Sequence, residues 1–166
     1  MRTQVLSLLV ENTSGVASHI FGLFSRRGYN VDSISSGVTA DPRFTRITVV
    51  STGDEQVLEQ IQKQLAKLED VIDIKELKDG ESVCRELILV KLRAKDSDRQ
   101  AILSVANIFR ANIIDVSMDS MIIELTGGQN KLDAFLDLVK DYDILELART
   151  GVTGLSRGVK DVKIIK

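Results

Sequence analysis

Cysteine, histidine, proline and tryptophan are nearly missing from this chain of 166 residues. Cys84 is the only cysteine and His19 the only histidine. A single cysteine cannot close a disulfide within the chain, and the two residues together are too few for a Cys/His zinc site. There is no tryptophan, and aromatics make up 4% of the residues. That is too few for the stacking platforms of single-stranded nucleic-acid binders. Net charge is −2, with acidic and basic residues mixed along the chain. No basic stripe for a nucleic-acid backbone results. No apolar stretch approaches the length of a membrane span, and Val5–Val10 is too short for a signal-peptide core. The expectation is a cytoplasmic protein with neither a nucleic-acid nor a membrane partner.

What the chain has is apolar periodicity. Hydrophobic residues make up 43%, enough for a core. Gln4–Val10 reads as a strand buried on much of both faces. Val16, Ile20, Leu23 and Phe24 then fall on one face of a helix, which Arg26, Arg27 and Gly28 end. Tyr29–Val38 and Phe44–Ser51 read as a hairpin around the turn that holds Pro42, the only proline. Leu58, Ile61, Leu65 and Leu68 mark a second helix, and Val71–Leu77 a fourth strand. The order βαββαβ predicts an α+β fold, a ferredoxin-like antiparallel sheet with both helices on one face.

The same order returns after the polar break Lys78-Asp79-Gly80-Glu81-Ser82. Glu86–Arg93, a helix face of Ile102, Val105, Ala106 and Phe109, a short hairpin, a second helix face of Leu132, Phe135, Leu136 and Val139, and a closing strand Ile144–Thr150 repeat the first half. Phe24-Ser25-Arg26-Arg27-Gly28-Tyr29-Asn30-Val31-Asp32 resembles Phe109-Arg110-Ala111-Asn112-Ile113-Ile114-Asp115. The expected organisation is a domain at 1–78, a linker at 79–83, a second domain at 84–158 and a tail at 159–166. For Gly151–Gly158 a chain-terminating turn is the plain reading and a docking segment the other.

Glu11-Asn12-Thr13-Ser14-Gly15 joins the first strand to the first helix. Asn, Thr and Ser are all capping residues, glycine permits close approach, and a helix start attracts a carboxylate or phosphate. By themselves these residues leave two readings open, a well-capped helix or a ligand loop. Acidic neighbours such as Glu11 and Asp32, or Asp141 and Asp143, read as solvated faces. Neither a catalytic constellation nor a set of metal ligands emerges. His19 reads as a half-exposed helical residue, with a pH-sensitive contact as the lesser alternative.

Residues 4–77 resemble ACT domains. Over nearly its full length the chain resembles the regulatory small subunits of acetolactate (acetohydroxyacid) synthase. The resemblance rests on Leu9–Gly15, Leu23–Asn30, Lys131–Phe135 and Arg149–Gly158. It implies a homodimer that binds a branched-chain amino acid, valine, between two first domains. Asn12, Gly15 and Val16, with Asn30, Val31 and Ile34 of the second strand, are the effector residues expected. By itself Asn30 also reads as a turn residue after Gly28. Val31 and Ile34 read as core or interface residues first and as walls of an aliphatic pocket second. The partner the resemblance implies is the catalytic large subunit, which would hold thiamine diphosphate, magnesium and FAD, while this chain would hold none. The alternative is a stand-alone amino-acid sensor acting on another enzyme or on transcription.

Overall fold

The computed structural model describes residues 1–163. These divide into two compact units, residues 1–84 with 152 onward, and residues 85–151.

In the first unit, β1 (Arg2–Glu11), α1 (Val16–Arg27), β2 (Ser33–Val38), β3 (Phe44–Gly53), α2 (Glu55–Ala66) and β4 (Val71–Glu76) follow the expected order. The sheet runs β2-β3-β1-β4, all neighbours antiparallel. Alternation along each strand sorts the residues between two faces. Leu6, Leu8 and Val10 of β1 and Ile47 and Val49 of β3 meet Val16, Ile20, Leu23 and Phe24 of α1 and Leu58, Ile61 and Leu65 of α2 in one core. Each of the fully buried aliphatic side chains contributes ~1.5–3 kcal/mol by leaving water.

Helix ends follow local chemistry. Asp54 caps α2, its carboxylate accepting from the Val57 N–H at 2.8 Å. Gly28 ends α1 in the left-handed conformation, φ +66°, and the Tyr29 N–H closes back on the Phe24 carbonyl at 3.0 Å. Arg2 ties three elements together, donating to Glu55 at the start of α2 and to Glu76 at the end of β4. These hydrogen bonds hold the Arg2 guanidinium above its ordinary pKa and the Glu55 carboxyl below its own.

Strand β2 is shorter than the sequence suggests. Tyr29–Asp32 form a loop, because Tyr29 is held by the end of α1, its ring edge-on to Phe24. Only from Asp32, whose N–H donates to the Val50 carbonyl at 2.8 Å, does the chain join the sheet.

The second unit repeats the plan with β5 (Ser82–Arg93), α3 (Arg99–Ile108), β6 (Asn112–Val116), β7 (Ser120–Gly127), α4 (Gln129–Val139) and β8 (Ile144–Arg149). Its sheet order, β6-β7-β5-β8, matches that of the first. Phe135, Ile88, Leu92, Ile102 and Ile123 lie fully buried at its centre. Glu86 is 6% exposed and is gripped by Arg149 through two bonds of 2.9 and 3.0 Å. That pairing raises the Arg149 pKa further.

The duplication has a different register from the one the sequence suggests. The Ala111 N–H returns to the Ala106 carbonyl at 2.8 Å as the Tyr29 N–H returns to Phe24. Arg110, φ +58°, holds the left-handed position of Gly28. Ala106, not Phe109, is therefore the counterpart of Phe24.

A ninth strand, β9 (Thr153–Ser156), lies in the stretch expected to end the second domain, but it groups with the first unit and pairs with β5. Strand β5 begins inside the stretch expected as a linker, and its first three residues also belong to the first unit. Residues 164–166, the end of the expected tail, lie outside the described residues.

Candidate functional site

The loop after β1 does not act as a side-chain cap. Gly15 itself is the N-cap of α1, at φ +92°, and no side chain bonds to the helix start. Asn12 turns away from it. Its side-chain amide donates to the Pro42 carbonyl at 2.9 Å, and its N–H to the Arg43 carbonyl at 2.8 Å, so it secures the β2–β3 hairpin turn. The Val16 N–H reaches only the Thr13 carbonyl at 3.5 Å. A Cβ built on Gly15 would meet no atom within 4 Å, so the helix start is open to approach. The first turn carries no acidic residue of its own. Helix α4 begins as barely, at Gly128, so an open helix start does not by itself identify a site.

Asp70 fixes the flank of this loop, and nothing in the sequence pattern announced it. Its carbonyl accepts the Glu11 N–H at 2.9 Å, and its carboxylate lies 2.7 Å from His19 Nδ1. One residue of the α2–β4 turn thus holds both the end of β1 and the first turns of α1.

The six residues suggested by the resemblance do not form one cluster within a chain. Val16 is 4% exposed in the core, where the half-buried Val31 and Ile34 pack from the α1–β2 loop and from β2. Asn12 and Gly15 are exposed at the end of the sheet where β1 stops and β3 begins, opposite each other as Glu11 and Phe44. Asn30 lies at the other end, in the loop rather than on the strand. It bonds to Asp32, whose carboxylate also accepts from Thr52 near the close of β3. Helix α1 spans the gap with 12 residues, which is about 18 Å at 1.5 Å per residue. Glu11 and Asp32 likewise sit at opposite ends, so they share no cleft.

In the second unit the corresponding place is an open hollow lined by Asp96, Arg99, Val116, Ser117 and Met118. Arg99, the first residue of α3, donates to the Ser117 and Met118 carbonyls at 2.6 and 2.8 Å, holding the β6–β7 turn as Asn12 holds its own. Among the described residues no cluster of three His, Cys, Asp or Glu is placed to bind a metal. No helix among them is long and apolar enough to cross a membrane.

Residues 6–73 match the family described as the AHAS small subunit-like ACT domain, so the first βαββαβ unit is of the ACT type. Residues 85–158 match the family described as the small subunit of acetolactate synthase. The small subunit of acetolactate synthase isozyme 3 from Escherichia coli is 48% identical over 158 residues, 95% of this chain and 97% of that one. The acetolactate synthase small subunit of Haemophilus influenzae is 43% identical over 160 residues, covering 96% and 98%. The crystal structure of the small subunit from Thermotoga maritima superposes with a TM-score of 0.87 at 38% identity, over 95% of this chain and 99% of that one. The chain belongs to the acetolactate synthase small-subunit family.

Proposed function

We propose that this chain is the regulatory subunit of an acetolactate synthase. It binds the catalytic large subunit, raises its activity and makes it sensitive to valine, an end product of branched-chain amino-acid synthesis. The chain does no chemistry of its own. Thiamine diphosphate, magnesium and FAD belong to the catalytic subunit.

The observation that carries this reading, beyond family membership, is the placement of the candidate residues at opposite ends of one sheet. Strand β2 is an edge, paired only with β3 among the described residues. Two copies joined antiparallel along that edge would bring the Asn30 end of one to the Gly15 end of the other. Each of two equivalent sites would then hold a helix start for the carboxylate of an amino acid. Aliphatic walls such as Val31 and Ile34 would favour a branched side chain, at ~0.8 kcal/mol per buried methylene. Valine inhibits if it binds more tightly to the less active arrangement of the assembly.

The test is co-purification with the catalytic subunit, followed by acetolactate synthesis with and without valine. Activation on mixing, lost as valine is added, is expected. The pure chain supplied with pyruvate, thiamine diphosphate, magnesium and FAD should make no acetolactate. Turnover above a buffer blank would overturn the non-catalytic assignment.

A further inference from the structure

Strand β2 carries a different load on each face. Ile34 turns toward the helices and packs on the core beside Val49. Ser33 and Ser35, one residue to either side, point to the opposite face. There both hydroxyls meet one residue from the far end of the chain. Ser35 Oγ donates to the Val152 carbonyl at 2.8 Å, and the Val152 N–H points at Ser33 Oγ at 3.5 Å.

Val152 is where the chain re-enters the first unit, directly after the left-handed Gly151 at φ +83°. Beyond it the segment is fastened down. The Arg157 N–H donates to the Glu81 carbonyl at 2.8 Å, and Lys75 Nζ donates to the Asp161 carbonyl at 2.6 Å. Gly154 is packed so closely that a Cβ there would lie 2.7 Å from both Cys84 Sγ and the Val83 carbonyl oxygen. A strap anchored this firmly downstream, and held by two hydroxyls at its first residue, transmits force at that first residue.

We propose that the Val152 clamp is the output link of the effector unit. Ile34 and Ser35 share a peptide bond, so a shift of β2 at an occupied effector site moves the clamp with it. Strand β2 pairs only with β3 within its own sheet, and in a dimer joined along β2 it also forms the seam across which the ligand is held, so the ligand acts on β2 directly. The displacement reaches the second unit through the peptide bond between Gly151 and Val152. This rests on the effector reading above. It adds that valine binding and valine inhibition are separable, and that the Ser33 and Ser35 hydroxyls are where they separate.

The test uses the full chain with both serines changed, Ser33→Ala and Ser35→Ala. Calorimetry on this variant should give a valine affinity within about twofold of the wild type. Inhibition of the reconstituted holoenzyme should need at least about fivefold more valine, at the lower end of usual coupling strengths. Ser35→Thr, which keeps the hydroxyl, should stay near wild type. Unchanged inhibition in the double variant overturns the proposal. So does a parallel loss of affinity, which would make the serines part of the ligand site. Hydrogen exchange on the wild-type chain decides independently, should the variant fold poorly. Valine should alter protection of the Val152 and Arg157 amides, and identical exchange with and without valine overturns the clamp. A wild-type chain that binds no valine at all fails at the earlier step, the effector reading.

Discussion

Gly15 and Arg110 show how much rests on single backbone conformations. At φ +92° any side chain at position 15 is strained by about 1–2 kcal/mol, although nothing in the chain would clash with it. Gly15→Ala therefore adds strain and a methyl group in the approach to the helix start, and should weaken valine inhibition moderately. Gly15→Asp adds the same strain plus a carboxylate that competes for the N–H groups meant for the ligand, and should abolish inhibition while activation of the catalytic subunit persists. Dose–response curves for valine on the reconstituted enzyme check both. Wild-type sensitivity in Gly15→Asp would remove the loop from the effector site. Arg110 adopts the same class of conformation at φ +58° without glycine's freedom. Arg110→Gly relieves that strain and incurs part of it back as unfolded-chain entropy, a net gain of about 0.5 kcal/mol. Calorimetry should show the second unit melting about 2 °C higher.

Between elements, the decisive geometry is the length of α1. It separates Gly15 from Asn30 by the full depth of the sheet, so a site using both must draw them from two chains. Asn30→Ala should weaken valine binding, and a mixed dimer makes the point sharper. With Gly15→Asp in one copy and Asn30→Ala in the other, one site loses both groups and the other keeps both. Titration should find valine binding at about half the wild-type stoichiometry with affinity preserved. Complete loss would mean that each chain builds its own site. Much of this was legible in the residues. The i, i+4, i+7, i+8 spacing from Val16, with Gly28 as the stop, fixed α1 at Val16–Arg27. The start of β2 was not legible, because Tyr29 and Val31 are apolar whether they continue a strand or pack a loop against a helix end. The role of Asn12 was hidden for a similar reason. Its amide serves a carbonyl 30 residues away, and local sequence carries no record of that.

For the molecule as a whole, the two units depend unequally on the end of the chain. Leu9 and Val50, 6% and 5% exposed, lie on the face of the first sheet away from its helices. Ser33 and Ser35 on that face bind Val152, and Lys75 binds Asp161. A chain ending at Gly151 loses those three hydrogen bonds. The first unit should lose about 3 kcal/mol, three hydrogen bonds at ~1 kcal/mol each. Tyr29 and Tyr142, the only tyrosines, report one unit each. Fluorescence melts of Tyr29→Phe and Tyr142→Phe variants should show that the truncation lowers the midpoint of the first unit more than that of the second. Equal falls would mean that the segment stabilises both alike. The same logic applies to a chain ending at Lys78, which lacks both the start of β5 and the strap and should be less stable than its complete βαββαβ order suggests.

The amino-acid sequence by itself determined the βαββαβ order of each half, the duplication and the family, because these follow from short-range periodicity, from glycine and capping residues at element ends, and from runs of residues read contiguously. It also determined that β1 is buried on both faces, since Val5–Val10 is apolar at nearly every position. It did not say what does the burying. The helices cover one face, as the βαββαβ order requires. On the other face Ser33 and Ser35 meet Val152, part of the Gly151–Gly158 stretch that reads as a terminating turn because its partners lie up to 119 positions away in the chain. Tertiary structure alone decided that, and it alone put Gly15 and Asn30 at opposite ends of a sheet. Hydrogen bonds between distant residues leave no period in the sequence, and the separation of two loops depends on how a helix lies across the strands.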